Sequence, residues 1–225
     1  MLKHLSIVIL ISLVFLSCGY TKELEQENAS LKEQISALKA DVDRYKSASD
    51  KLAFLSSKMQ GLKARIITSQ GNIEAEFFTD KAPLHCFNFI SRAESGFFNG
   101  SEFHRVIPGF MIQGGDPNSK DKDPYNDGMG GPVVAIPHEF NDTHHAPGIL
   151  SMARTGDVTA GAGSQFFIMH GDSPQLDKQY TAFGRVLSGM DVVDRIATTE
   201  TNKTDPRLRD HPLKPMVIKT IEIYR

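Results

Sequence analysis

Between Phe103 and Asp116 the chain places one Arg, one Gln and one Met among ring-bearing and aliphatic residues: Phe103, His104, Arg105, Val106, Ile107, Pro108, Gly109, Phe110, Met111, Ile112, Gln113, then Gly114, Gly115 and Asp116. Successive side chains of a strand point to opposite faces, so Phe103, Arg105 and Ile107 share one face. Met111 and Gln113 share one beyond the turn signal Pro108-Gly109. A guanidinium is always protonated and carries only donors. Arg105 on an apolar floor therefore has two uses. It is either paired with a carboxylate in an ordinary half-buried hairpin, or aimed at an acceptor on a bound molecule. This segment alone leaves both open.

The surrounding elements must decide what that Arg faces. Short β-like runs occur at Ala64–Thr68 and Ile73–Phe77, joined around Gly71-Asn72 as a hairpin signal. Pro83 leads an apolar-periodic run through Phe87, Phe89, Ile90 and Ala93 that stops before Gly96, which predicts a helix begun near Asp80. Further strands are predicted at Phe103–Val106, Met111–Gln113, Gly148–Met152, Gln165–Met169, Thr181–Val186 and Met216–Ile223, with a second helix at Met190–Ala197 and a loop over Asn118–Pro132. Many short strands with two helices and Gly-rich links predict a mainly β fold, an antiparallel barrel closed on itself so that no edge is exposed.

Four segments now stand in one order: Phe103–Asp116; Gly148–Arg154, reading Gly-Ile-Leu-Ser-Met-Ala-Arg; Ser164–Ile168, reading Ser-Gln-Phe-Phe-Ile; and Ala182–Val186, reading Ala-Phe-Gly-Arg-Val. Together they resemble the cyclophilins, over essentially residues 64 to 225. The resemblance implies an eight-stranded barrel capped by two helices and peptidyl-prolyl cis-trans isomerase activity, with no cofactor. It makes Arg105 the catalytic residue and carries a proline pocket over to Phe110, Met111, Gln113, Phe167, Leu176 and Tyr180. Ala153, Arg154 and Gln165 match positions along the peptide groove, and Gly128-Met129-Gly130-Gly131 resembles a glycine loop beside it. Two positions depart from many eukaryotic members: Gln175 stands where they carry Trp, and Tyr180 where they carry His.

These residue types suit the implied chemistry. Rotation about an X-Pro bond breaks amide resonance, with a barrier of ~18–20 kcal/mol, and needs no bond to carbon made or broken. As the bond twists, the nitrogen lone pair localises, so a donor aimed at that nitrogen is worth more in the transition state than in the planar ground state. Arg105 can be that donor, with Gln113 orienting it. Phe110, Met111, Phe167 and Leu176 would cup the proline ring while the preceding carbonyl swings. Ala153 and Arg154 would act through their backbones, leaving the Arg154 side chain a solvated loop charge. His104, on the other face of the strand from Arg105, is read as structural, because no proton transfer is required. A second function class is a chaperone or scaffold module that grips proline segments, with catalysis incidental.

Other chemistries find little support. His138, Glu139, His144 and His145 include competent metal ligands, but they lack an H-E-x-x-H spacing, and adjacent His144 and His145 would point apart; no metal site is assigned. Gly128–Gly131 is not followed by the Lys-Ser/Thr of a phosphate loop, and Ser164 has no G-x-S-x-G surroundings. With 25 basic against 27 acidic residues and no long basic run, nucleic acid is not an expected partner.

The N-terminal part reads differently. Lys3 precedes an apolar run from Leu5 to Leu16, about 12 residues against the roughly 20 that span a bilayer, which is the form of an export signal. Ser17-Cys18-Gly19 resembles the processing site of bacterial lipoproteins, so Cys18 is the expected lipidation site and membrane contact. Leu24, Leu31, Leu38, Tyr45, Leu52 and Met59 then recur every seven residues, with Asn28, Ile35 and Val42 four after the first three of them. This heptad pattern predicts a helical coiled-coil stalk ending near Gly61, weakened in its second half by Ser49 and Ser56 at a; it is either one arm of a homodimer through residues 21–60 or a lone helix that spaces the domain from the membrane. The expected organisation is a signal peptide over 1–17, a lipid-anchored linker and stalk over 18–61, and an isomerase domain over 62–225. The expected location is the cell envelope, lipid-anchored on the periplasmic face or the outer surface, with proline-containing polypeptides as substrates.

Overall fold

A computed structural model describes residues 2–131, 135–157 and 159–225, with side chains described from Leu24 onward. The Cys18 side chain therefore lies outside the described residues. The chain divides into two compact units, Met1–Lys51 and Leu52–Arg225. Helix α1 runs from Leu2 to Met59. It ends where the Leu62 N–H bonds back to the Met59 carbonyl and Gly61 takes a positive φ of 78°, a conformation that favours glycine at a helix C-terminus.

In the second unit, strand β1 (Lys63–Thr68) turns Ala64, Ile66 and Thr68 inward and the alternate residues outward, as its period-2 spacing requires. Its partner β2 (Gly71–Phe77) pairs Gly71 with Thr68, so the turn is Ser69-Gln70, two residues before the expected Gly71-Asn72. Gly71 serves another purpose. A Cβ at this residue would lie 2.9 Å from Val192 Cγ2, so the glycine lets a helix approach the strand. Helix α2 (Pro83–Glu94) begins at its proline rather than near Asp80. Strands β3 (Arg105–Ile107), β4 (Met111–Gly114), β5 (Ile149–Arg154), β6 (Ala162–Met169) and β7 (Ala182–Ser188), helix α3 (Met190–Ala197) and strand β8 (Ile218–Tyr224) complete the unit.

All eight strands belong to one antiparallel sheet in the order β3-β4-β6-β5-β7-β2-β1-β8. The closed barrel expected from the sequence is not formed as a continuous ladder. Between β3 and β8 there is an isolated bridge, Glu102 with Val217, together with hydrogen bonds such as Phe103 N–H to the Met216 carbonyl at 2.9 Å. The sheet is a curled half-barrel with a stitched seam. The segment opposite β3 explains it: from Asp210, which accepts from the Val106 N–H, to Met216 it contains Pro212 and Pro215, and neither proline has an N–H to extend a ladder.

The apolar faces form two clusters. The larger is centred on Phe89 of α2, whose ring lies 5.1–5.8 Å from those of Phe77, Phe98, Phe166 and Phe183. Met59 is buried in this core and Leu55 packs against it, so the last turns of α1 belong to the domain. Cys86 is fully buried here, and burial raises its thiol pKa well above the ordinary range, which makes it a packing residue. The smaller cluster joins Met111, Ile149, Phe167, Met169 and Ala182, with Phe110, Leu176 and Tyr180 against its open side.

Candidate active site

Strand pairing brings the two polar residues of the opening segment face to face, since Arg105 on β3 stands opposite Gln113 on β4. Arg105 Nη1 donates to Gln113 Oε1 at 3.3 Å. Because a guanidinium only donates, the Gln113 oxygen must face it, and its amide nitrogen then donates to Gln165 Oε1 at 2.9 Å. Gln165 passes its own donor to the carbonyls of Gly128 at 3.0 Å and Gly130 at 2.8 Å. The relay thus runs from the Arg to the glycine loop with every amide orientation decided by its neighbour. Gly130 cannot be replaced cheaply, as a Cβ there would fall 2.1 Å from Asp116 Oδ1.

The second hold on Arg105 was not read from the sequence. Asp210, in the loop before β8, places Oδ2 3.6 Å from Arg105 Nε. With Nε beside Asp210 and Nη1 on Gln113, Nη2 has no hydrogen-bond partner among the described residues. The carboxylate pairing considered for an Arg in this position therefore occurs, and it leaves one guanidinium nitrogen without a partner among the described residues.

Arg105 lines a cavity of about 100 Å³ together with Phe110, Met111, Gln113, Ala153, Arg154, Phe167, Leu176 and Tyr180. Gln165 lies outside it, on an adjoining groove of about 410 Å³ that also includes Gly128, Met129, Gly130, Ala153 and Arg154. Phe167 forms the floor, edge-on to Tyr180 with ring centroids 5.7 Å apart. Contrary to its reading as a solvated charge, Arg154 stacks its guanidinium 4.5 Å from the Tyr180 ring centre. It also donates to the Gln179 and Thr155 carbonyls, both at 2.9 Å. The aromatic wall offers a cation–π contact to a side chain already tied to two carbonyls.

Two histidine arrangements support the cup from behind. His145 is fully buried and stacks near Phe167, while its Nδ1 lies 2.9 Å from Asp177 Oδ1. His144 reaches the other oxygen of the same carboxylate at 2.8 Å, so the two adjacent histidines converge instead of pointing apart. Asp177 directly follows Leu176 of the cup. Burial pushes its carboxyl up, but hydrogen bonds from His144 and from the His145 backbone and ring outweigh this and hold it at about 2. Burial lowers the pKa of His145 despite Asp177, whereas the hydrogen bond to Asp177 raises that of exposed His144. On the other side, the Gly109 N–H donates to His170 Nδ1 at 2.7 Å, and His170 Nε2 lies 2.8 Å from Asp194 of α3. This pins the turn that delivers Phe110.

The other residues considered for metal chemistry have structural roles. Glu139 accepts the Leu84 and His85 N–H groups at 3.1 and 3.0 Å, which satisfies the N-terminus of α2 across the chain. His138 stacks on Phe140 at 4.6 Å. His104 is buried on the face opposite Arg105, and desolvation lowers its pKa, so the neutral ring is favoured.

The curled eight-stranded antiparallel sheet with helices against it is the fold that comparison with known proteins recovers. Residues 63–223 match the family model for cyclophilin type peptidyl-prolyl cis-trans isomerases. The chain belongs to this family, and it is an enzyme of that type. A peptidyl-prolyl cis-trans isomerase of Arabidopsis thaliana is 40% identical over 157 residues, covering 67% of this chain and 92% of that protein. Another, from Synechococcus elongatus, is 46% identical over 123 residues, 55% of this chain and 79% of its own length. A longer relative from Rhizopus delemar, peptidyl-prolyl cis-trans isomerase-like 2, is 41% identical, but the chain covers only 28% of its length. Among solved structures, a cyclophilin type isomerase of Cryptosporidium parvum, crystallised in the presence of the dipeptide Ala-Pro, superposes with a TM-score of 0.64 at 32% identity, over 72% of this chain and 99% of that one.

Proposed function

We propose that this enzyme isomerises X-Pro bonds in exported polypeptides, with Arg105 as the donor that stabilises the twisted amide. The observation that carries this reading is the placement of Arg105: two of its nitrogens face Gln113 and Asp210, Nη2 has no hydrogen-bond partner among the described residues, and the residue lines the aromatic cup. The proline ring occupies the cup formed by Phe110, Met111, Phe167, Leu176 and Tyr180. The adjoining groove beside Ala153, Arg154 and Gln165 takes the rest of the peptide. Holding the ring while leaving the preceding carbonyl free restricts motion to the rotation being catalysed. A donor fixed in advance needs no reorganisation as the nitrogen lone pair localises. The Ala-Pro dipeptide named with the C. parvum structure is consistent with such a substrate.

What supports substrates outside the cytoplasm is the N-terminal sequence: an apolar run of export-signal length followed by Ser17-Cys18-Gly19, with Cys18 as the proposed lipid anchor. Mass spectrometry of the membrane fraction tests this part, and an unmodified, uncleaved N-terminus overturns it. NMR exchange spectroscopy on a proline-containing peptide tests the assignment of Arg105. Arg105→Ala is expected to lower turnover at least about tenfold, equivalent to ~1.4 kcal/mol of transition-state stabilisation; unchanged turnover by the folded variant rules the role out. The wide groove next to the cup also favours a second reading, a proline-segment holdase. Equal rescue of a folding client by wild type and Arg105→Ala would select it.

A further inference from the structure

Separate from the isomerase reading, we infer that the exposed apolar stripe of α1 is an interface for a second copy of this chain, aligned in parallel over Leu24 to Tyr45. Leu24, Leu31, Ile35, Leu38, Val42 and Tyr45 are between 40% and 74% exposed, although they occupy the a and d positions of the heptad pattern. A helix face this regular and this apolar is the seam of a coiled coil when a matching face is supplied. The structure also sets where the seam stops. Met59, the last d position of the repeat, is buried in the core of the second unit, and Leu55 packs beside it. Ser49 at the a position after Val42 weakens the seam before that point, so the apolar stretch left for a partner is the roughly three heptads from Leu24 to Tyr45, near the shortest that sustains a coiled coil.

The charges beside the seam choose both the occupant and its direction. In a parallel pair the g and e′ positions bring Glu27 to Lys32 and Asp41 to Lys46, which are two attractive contacts repeated on each side of the seam. In an antiparallel pair, g faces g′ and e faces e′. That would set Glu27 against Asp41 and Lys32 against Lys46, like charges in both cases. Only the parallel arrangement of two identical chains turns this pattern from repulsive to attractive. Ile35 and Val42 at a with Leu31 and Leu38 at d favour two strands over three or four, and Asn28 at a opposes slippage of register. In the single chain Asn28 Nδ2 donates to the Leu24 carbonyl at 2.9 Å; the pair would offer it Asn28 of the other copy instead. Two copies joined in this way present two proline cups to one client, which raises the retention of chains with several prolines without any change in the cup.

Sedimentation of the full chain in detergent, with the micelle contribution matched out, tests the inference. Wild type is expected at twice the chain mass at micromolar concentration, and the double variant Leu38→Asp, Val42→Asp at the single-chain mass with unchanged turnover on a short proline peptide. In a Cys18→Ser background, Asn28→Cys is expected to form a disulfide-linked pair on mild oxidation, because parallel chains bring equivalent a positions together. A single-chain mass for wild type overturns the inference. So does a paired mass that survives the double substitution, since the contact then lies elsewhere, and so does a paired chain whose Asn28→Cys variant does not cross-link. None of these outcomes bears on the role of Arg105, which the peptide assay reads separately.

Discussion

The two apolar clusters of the domain are built from the same residue types and serve opposite ends. Around Phe89, rings and aliphatic side chains close on every side, and the core residues are almost without exposure. Around Phe167 the packing stops half-way: Met111 and Met169 are buried, but Phe110, Leu176 and Tyr180 keep a face toward solvent. What separates core from site is therefore a missing layer of packing and the polar supports that keep the gap open. Arg154 stacks on Tyr180 and is tied to two carbonyls; His145 stacks near Phe167 and is tied to Asp177. An apolar cup without such supports would tend to collapse on itself.

The sharpest way to break the comparison is at the closed cluster. Phe89→Ala is expected to cost ~3–5 kcal/mol of unfolding free energy, read by urea denaturation, because the four rings around it cannot all collapse into the space. The activity per folded molecule should stay near wild type. A large change in KM with little loss of stability would mean the two clusters are not separate. At the open cluster, Asp177→Ala removes the acceptor of both histidines and leaves buried His145 unpaired at Nδ1. The expected cost is ~1–3 kcal/mol, with a raised KM as the floor loosens and kcat less affected, which steady-state kinetics on a proline peptide separates.

Smaller effects sharpen the comparison. Asp210→Asn keeps the size of the side chain and removes its charge, so kcat/KM should fall by a few-fold, about 1 kcal/mol or less for an exposed pair, with the thermal midpoint unmoved. A fall as large as that of Arg105→Ala would make Asp210 an equal partner in holding the guanidinium. The smallest effect concerns pH. His145 has a lowered folded pKa, so its contribution is present above the unfolded value near 6.5 and is lost as pH falls through that range toward the lowered value. His144 has a raised pKa, so it stabilises below about 6.5 and loses that contribution as pH rises through the raised value. His144→Gln removes the opposing term, and its thermal midpoint should drop more steeply than that of wild type between about pH 7.5 and 5.5. Parallel slopes would show that the contacts of His144 to Asp177 and, through its Nε2 at 2.7 Å, to Asp172 are without thermodynamic weight.

The legible and illegible parts of this molecule divide along the same line. Arg105 and Gln113 could be placed on facing strands because alternation and a Pro-Gly turn carry register over a few residues. The cup residues Phe110, Met111 and Phe167 lie in or beside those same regular elements. Asp210 and Asp177 were missed because each lies in irregular chain, where no period tells which way a side chain points. Their partners are far away: Asp177 meets His145 across 32 residues, and Asp210 meets Arg105 from the loop before β8. Closure of the barrel was over-read for a related reason. Strand content was visible, but whether β8 meets β3 depends on Pro212 and Pro215 lying opposite β3, and that is a fact of three-dimensional pairing.

The burial of Met59 also says where the domain can be cut. The family match starts at residue 63, but the compact unit starts at Leu52. A chain begun at Lys63 would uncover the surface that Leu55 and Met59 now shield, leaving a sticky apolar patch on the domain. One begun at Leu52 keeps its own lid. For anyone preparing the catalytic half alone, those eleven residues separate a well-behaved sample from one prone to aggregate, and the two versions should differ in light scattering before they differ in turnover.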